Sequence, residues 1–208
     1  MPNYKLTYFD FDGGRAEAIR IAFHSQNIKF EDHRISFAQF AQFRKTTPFN
    51  SIPVLNIDSI LVTQTNPILS YVGKMTKLYP TDDLQILYCE EVMSAIEDIS
   101  HQLVKTFGLK DDVLKQARKK FVEGWLSTIL KGLESLIIRS KGDYFCENQL
   151  TVADLKCFVQ VNGLSKGFLD HVPTDIVETV APQLFAHFNR MKKEPIIQEY
   201  YKMRENSK

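Results

Sequence analysis

The hydrophobic period of this chain changes once, near residue 80, and that change restricts the fold more than any other feature. Before it, short apolar runs alternate with helical patterns. Tyr4 to Phe9 alternates polar and apolar residues as a strand does. Ala16, Ile19 and Phe23 then recur at helical spacing through Gln26. Ile28 to Ile35 is a second strand pattern, followed by Phe37, Phe40 and Phe43 at helical spacing. Val54 to Ile57 and Ile60 to Val62 flank Asp58-Ser59, a hairpin signal. Thr65 to Lys77 returns to helix, with Thr65 as candidate N-cap and Pro67 tolerated in the first turn. The order β-α-β-α-β-β-α predicts a small mixed α/β layer.

Tyr79-Pro80-Thr81-Asp82 reads as a linker and a new helix cap, and beyond it no strand pattern follows. Val92, Ile96, Ile99 and Leu103 mark one helical stripe. Leu114, Ala117, Phe121, Trp125, Ile129, Leu133 and Leu136 mark a longer one, and Ile176, Val180, Leu184, Phe188 and Met191 a third. Thr151 to Asp154 has the shape of a capping box, a structural device fixing a helix start. The second half is therefore predicted to be all-helical, giving domains 1–79 and 83–208 joined by a linker at 80–82. The polar tail from Lys202 to Lys208 is expected to fray.

With 44% apolar and 25% charged residues the composition is that of a soluble globular chain. A net charge of +1 and a pI near 7.7 give no electrostatic footprint for nucleic acid or a membrane surface. No apolar run approaches the ~20 residues needed to span a bilayer. The N-terminus alternates instead of presenting the apolar stretch of a signal peptide. Cys89, Cys146 and Cys157 form no CxxC and no metal-ligand spacing. That scatter points to a reducing compartment, with the cytoplasm as the default, and leaves thiol–disulfide exchange without its cysteine at the strand-to-helix turn.

Chemistry concentrates where strands hand over to helices. Tyr8 taken alone is a half-buried strand tyrosine; Gly13-Gly14 breaks the chain after it, and Arg15 opens a helical pattern. A cation at the positive end of a helix is mildly unfavourable, yet it adds to a field that favours an anion. Pro53 directly precedes a strand, where a missing N–H is tolerated. Alone it reads as a trans turn residue; a cis bond would turn the Ile52 backbone outward, able to pair with an extended peptide. Gln64-Thr65 reads as a plain helix cap that is also a ready carboxylate site. Asp98, beside Glu97, reads singly as a surface carboxylate.

Taken in order, MPNYKLTYF, GRAEAIR, EDHRI, PFNSIPVL and the Gln64-Thr65 pair resemble the glutathione S-transferases. They are most similar to the sigma class, which includes the prostaglandin D synthases. The resemblance spans the chain and is most specific in the first 70 residues. It implies a thioredoxin-like α/β N-terminal domain that binds glutathione, an all-α C-terminal domain completing the electrophile site, and a homodimer. Residue by residue, it makes Tyr8 the phenol that hydrogen-bonds the glutathione sulfur and Arg15 the cation that supports the thiolate. Ile52, before the family's cis-proline Pro53, would offer its backbone to the cysteinyl part, with Ser51 beside it. Gln64 and Thr65 would receive the γ-glutamyl carboxylate, and Arg44 falls near the lysine that meets the glycine carboxylate. Asp98 would reach the γ-glutamyl amine of the partner subunit's ligand. The electrophile pocket would draw on Phe9, Phe11, Gly14, Phe107 and Lys156.

The chain also departs from that pattern. Phe40 stands where the class commonly has a tryptophan whose indole N–H helps hold the glycine carboxylate. Asp10-Phe11-Asp12-Gly13-Gly14 is one residue longer than the usual loop and carries carboxylates where an arginine often sits. Ser94 and Glu97 replace aspartates of the prostaglandin synthase metal site, so no metal is expected. Lys156 replaces an aromatic, which weighs against prostaglandin isomerase activity relative to conjugation of aryl halides, unsaturated carbonyls or lipid peroxides. The expected activity is transfer of glutathione to a small hydrophobic electrophile, with peroxidase activity a further option. The alternative is a non-catalytic relative acting as a ligand carrier or crystallin-like protein.

Overall fold

The computed structural model describes residues 2–146 and 148–206. The chain divides into two compact units, Met1–Tyr79 with Pro195–Lys208, and Pro80–Glu194. The first unit carries the strands β1 (Tyr4–Phe9), β2 (Glu31–Ile35), β3 (Val54–Ile57) and β4 (Ile60–Thr63). They form one sheet in the order β2-β1-β3-β4, with β1 parallel to β2 and antiparallel to β3, and β3 antiparallel to β4. Helices α1 (Glu17–Ser25), α2 (Phe37–Phe43) and α3 (Thr65–Met75) connect and follow the strands. This is the mixed layer the sequence predicts, with its core in Leu6, Val54 and Leu55 of the sheet, Ile19 and Phe23 of α1, and Ile68, Leu69 and Val72 of α3.

Three boundaries move for local reasons. The second strand starts at Glu31, not Ile28, because the Asn27 and Ile28 amides are spent closing α1 onto His24 O and Phe23 O. Helix α3 stops at Met75, where Lys77 adopts a left-handed φ of 60° and the Leu78 amide reaches back to Gly73 O at 2.8 Å. That is a Schellman-type closure. At its other end Gln64, not Thr65, is the flanking residue; Thr65 is already helical, and neither side chain caps the helix. Helix α2 has a capping box between Ser36 and Gln39.

The expected helical domain of 83–208 differs from the observed division in its last helix, α10 (Pro195–Asn206), which groups with the first unit. Its Tyr200, 2% exposed, meets His24 of α1 edge-on at 5.7 Å, and Ile197 is buried beside it. Burial of those side chains explains why Lys202 to Asn206 continues the helix despite its polarity; Ser207 and Lys208 lie outside the described residues.

The second unit is helical, as predicted: α4 (Asp83–Val104), α5 (Asp111–Phe121), α6 (Ser127–Ser140), α7 (Val152–Ser165), α8 (Ile176–Val180) and α9 (Pro182–Met191). Asp82 caps α4 by accepting from the Leu84 and Gln85 amides. A π-helical turn over Val122–Leu126 joins α5 to α6. It adds a residue to the turn: Leu126, Leu130 and Ile137 are buried where Trp125, Ile129 and Leu136 were expected, while Leu133 is buried as expected. Trp125 is left 54% exposed. The third stripe is two helices, not one, because Pro182 drives Ala181 to φ −144°, ψ 69° and starts α9 afresh. Helix α7 is buried along most of its length and begins at the Thr151–Asp154 capping box. Asp154 also receives the Phe145 amide and His187 Nε2 at 3.0 and 2.9 Å, so its role is structural.

Candidate active site

The strand β1 carries Tyr8 to the edge of a short loop, opposite Arg34 of β2, with the side chain 5% exposed. The chain must then reverse sharply toward α1. Gly13 and Gly14 make that reversal at φ 124° and 65°, the left-handed region where a side chain is strained. Gly14 is also pinned by space: a Cβ there would lie 2.8 Å from Tyr8 Oη and 3.0 Å from a Phe11 ring carbon. The turn delivers the Arg15 amide to Tyr8, donating to Oη at 3.2 Å. Helix α1 itself begins two residues later, at Glu17, so Arg15 precedes the helix instead of opening it. A phenol that accepts from a backbone N–H is polarised toward donating its own proton.

Beneath the phenol lies Arg20, 1% exposed, its Cζ 5.9 Å from the centre of the Tyr8 ring. It donates to Asp32 at 2.9 Å, to Glu17 at 3.1 Å and to the carbonyls of Phe11 and Phe9 at 3.3 and 3.5 Å. Burial pushes the Glu17 carboxyl up from its ordinary value, against the pull of Arg20 and the Gly13 amide. Sequence reasoning missed this buried cation. The available signal was an arginine inside the apolar run Ala16–Phe23, where burial without carboxylate partners is prohibitive.

Around Tyr8 stands an aromatic wall. Phe9 and Phe11 approach its ring at 5.3 and 5.8 Å, both edge-on, and stack on each other at 6.2 Å. Phe9 also meets Phe40 at 5.0 Å. Phe40 in turn carries the Arg44 guanidinium 5.4 Å from its ring centre. At the position where the resemblance leads one to expect a tryptophan, an arginine is seated on the phenylalanine ring instead.

Two backbone features complete this end of the sheet. The Ile52–Pro53 peptide is cis, immediately before β3. Just upstream the Ser51 amide is held by Thr47 Oγ1 at 3.1 Å. Gln64 holds φ 74°, ψ 130°, a conformation costing roughly 1–3 kcal/mol, and presents Thr65 as the first residue of α3. Strain of that kind at a helix start is characteristic of ligand clamps.

A strand-end phenol, a cis-proline before the third strand and a strained helix start occupy one sheet of the first unit. Residues 4–74 match the family model for the glutathione S-transferase N-terminal domain, and residues 97–204 that for the C-terminal domain. The chain belongs to the glutathione S-transferase family. It is 30% identical to the hematopoietic prostaglandin D synthase of Mus musculus, over the full length of both chains. It is 28% identical to glutathione S-transferase 4 of Caenorhabditis elegans, covering 100% of this chain and 99% of that one. The solved structure of rat hPGDS complexed with a quinoline is similar with a TM-score of 0.81 at 27% identity, covering 96% of each chain. The fold is that of a glutathione transferase, with a thioredoxin-like first unit and a helical second, and the relatives support a transferase.

Three other residues that the resemblance to glutathione transferases singled out lie in the helical unit. Asp98 is exposed on α4. Phe107 is 56% exposed and carries the Arg118 guanidinium 5.7 Å from its ring centre. Lys156 is only 6% exposed; its ammonium donates to Glu97 at 2.8 Å and to Met93 O at 3.0 Å. Those bonds make it an interior ion pair between α7 and α4, a different setting from the pocket lining expected of it.

Proposed function

We propose that this chain is a sigma-class glutathione transferase that activates the glutathione thiol for attack on a small apolar electrophile. The observation that carries this reading is the Tyr8 phenol, held by the Arg15 amide at a turn only glycine can make. A free thiol has a pKa near ~8.5, so little of it is thiolate at neutral pH. Lowering that value by about two units takes roughly 2.7 kcal/mol of differential stabilisation. One charge-assisted hydrogen bond from a phenol, with a nearby cation such as Arg15, is of that size.

In this reading Gln64 and Thr65 receive the γ-glutamyl carboxylate, supported by the strained helix start. Ile52 offers its backbone to the cysteinyl unit beside Ser51, as the cis bond at Pro53 favours. Arg44, seated on Phe40, takes the glycine carboxylate. Asp98 reaches the γ-glutamyl amine of a partner subunit's ligand, which requires a homodimer; its exposure on α4 supports that role. Phe9 and Phe11 offer aromatic surface to the electrophile beside the sulfur. Uncharged acceptors such as aryl halides, unsaturated carbonyls and lipid peroxides suit that surface better than a carboxylated one. A detoxifying role in the cytoplasm accords with three cysteines that are all buried and reduced.

Tyr8→Phe tests the assignment. It should bind glutathione within about twofold of wild type while turnover with an aryl halide falls about 100-fold, the usual cost of one such donor. Unchanged turnover would remove Tyr8 from the chemistry.

A further inference from the structure

The loop between Tyr8 and Arg15 departs from the family pattern in length and charge, and it is tied from several sides. Three guanidinium groups from three separate elements converge on it. Arg20 of α1 binds the Phe9 and Phe11 carbonyls from below. Arg34 of β2 binds the Phe11 carbonyl at 3.2 Å and Asp12 Oδ1 at 3.3 Å. Arg204, near the end of α10, reaches the same oxygen with both Nε and Nη2 at 3.0 Å. The side chains of Asp12, Arg34 and Arg204 are only 15%, 13% and 19% exposed. Solvent screening therefore weakens this cluster less than it does an exposed pair, and each member's freedom is already restricted by the others. Asp12, one of the two carboxylates in a loop where the family often has an arginine, is paired with Arg34 and Arg204.

We propose that Asp12 is a positioning residue through which α10, by way of Arg204, holds Phe11 against Tyr8 and so sets acceptor selectivity. Phe11 is the neighbour of Asp12, its carbonyl is shared by two of the three guanidinium groups, and the residue is 39% exposed, with its ring 5.8 Å from the Tyr8 ring. Loosening the tie moves that ring and the acceptor surface it offers. Apart from Tyr8 and Arg15, which act on the sulfur, the groups assigned to glutathione stand on other segments: Gln64 and Thr65 at the start of α3, Ile52 before β3, Arg44 after α2. Binding of the tripeptide is therefore insulated from the tie. A lone scaffolding role would instead lower both affinities together. The inference rests on the transferase reading, because Phe11 matters only if Tyr8 is the reacting end of the site.

The test compares wild type with Asp12→Asn, Arg204→Met and the double variant, in the full-length protein. Two readouts are taken: steady-state KM for an aryl halide against KM for glutathione, and affinity for S-hexylglutathione against glutathione by calorimetry. Each single variant should raise the aryl-halide KM and weaken S-hexylglutathione by about three- to tenfold, leaving glutathione within twofold. The double variant should be no worse than Asp12→Asn alone, since the contact that Arg204→Met removes is among those the aspartate change already weakens. Arg204→Lys, which keeps the charge and loses the fork, should fall between and keeps the test open where a neutral variant fails to fold. Unchanged ratios, equal losses for both ligands, or additive losses in the double variant would overturn the inference while leaving the transferase reading intact. A wild type that binds neither ligand would instead overturn the transferase reading, and this inference with it.

Discussion

Gly14 is the position with the least tolerance. A methyl group there collides with Tyr8 Oη and Phe11 while the backbone stays left-handed. Gly14→Ala should cost about 1 kcal/mol from the backbone alone, with more from the displaced phenol. Thermal unfolding and turnover should both report it, and an active, equally stable variant would contradict the pinch. The thiols make a second residue-scale prediction. Cys89 is pushed up by its hydrogen bond with Cys146 and by burial, and Cys157 by burial and then by the Asp154 charge. None of the three cysteines should react with a disulfide reagent in the native protein, and all three should after unfolding. Rapid native labelling would show that the core opens. At this scale Tyr8 and Pro53 were ordinary taken singly and became legible only through the order of motifs that resembles the glutathione transferases, while the glycine pair marked a chain break on its own. Arg20 was not, since a buried cation is identified by carboxylates that arrive from other elements, here Glu17 and Asp32.

Among the elements, the strands and most helices followed from hydrophobic period, because one face of each is buried against a single layer. The π-helical turn at Val122–Leu126 escaped that reading: periodicity assumes an unbroken 3.6-residue repeat, and an inserted residue shifts several of the positions after it, though Leu133 keeps its buried place. The left-handed closure at Lys77 was likewise invisible, since lysine carries no signal for it. Helix α1 supplies a pH prediction. Glu17 holds its proton more tightly in the folded chain than in the unfolded one. Its stabilising contribution is therefore complete below the ordinary glutamate range, ~4.3, and is lost as pH rises through its folded value. Glu17→Gln cannot ionise, so its stability relative to wild type should improve between pH ~4 and ~8. Urea unfolding at both ends measures this; a constant or falling difference would mean that the ion pair with Arg20 outweighs burial.

At the scale of the whole molecule, the assignment of α10 to the first unit could not be read from sequence, because a C-terminal amphipathic helix carries no address. Removing residues 195–208 should expose the pocket filled by Tyr200, lower the melting temperature of the first unit and abolish glutathione binding. The proposed homodimer is the other question at this scale. Leu84 and Leu87 of α4 and Ile138 of α6 are more than half exposed, on the helical unit that also carries Asp98. Leu87→Asp should shift the protein toward monomer in sedimentation and raise the glutathione KM, as Asp98→Ala should without dissociating it. The most direct measurement is a titration of enzyme-bound glutathione, followed as thiolate absorbance against pH. A bound thiol about two units more acidic than the free one, returning most of the way in Tyr8→Phe, is the predicted result; a bound thiol that titrates with the free one would contradict the account.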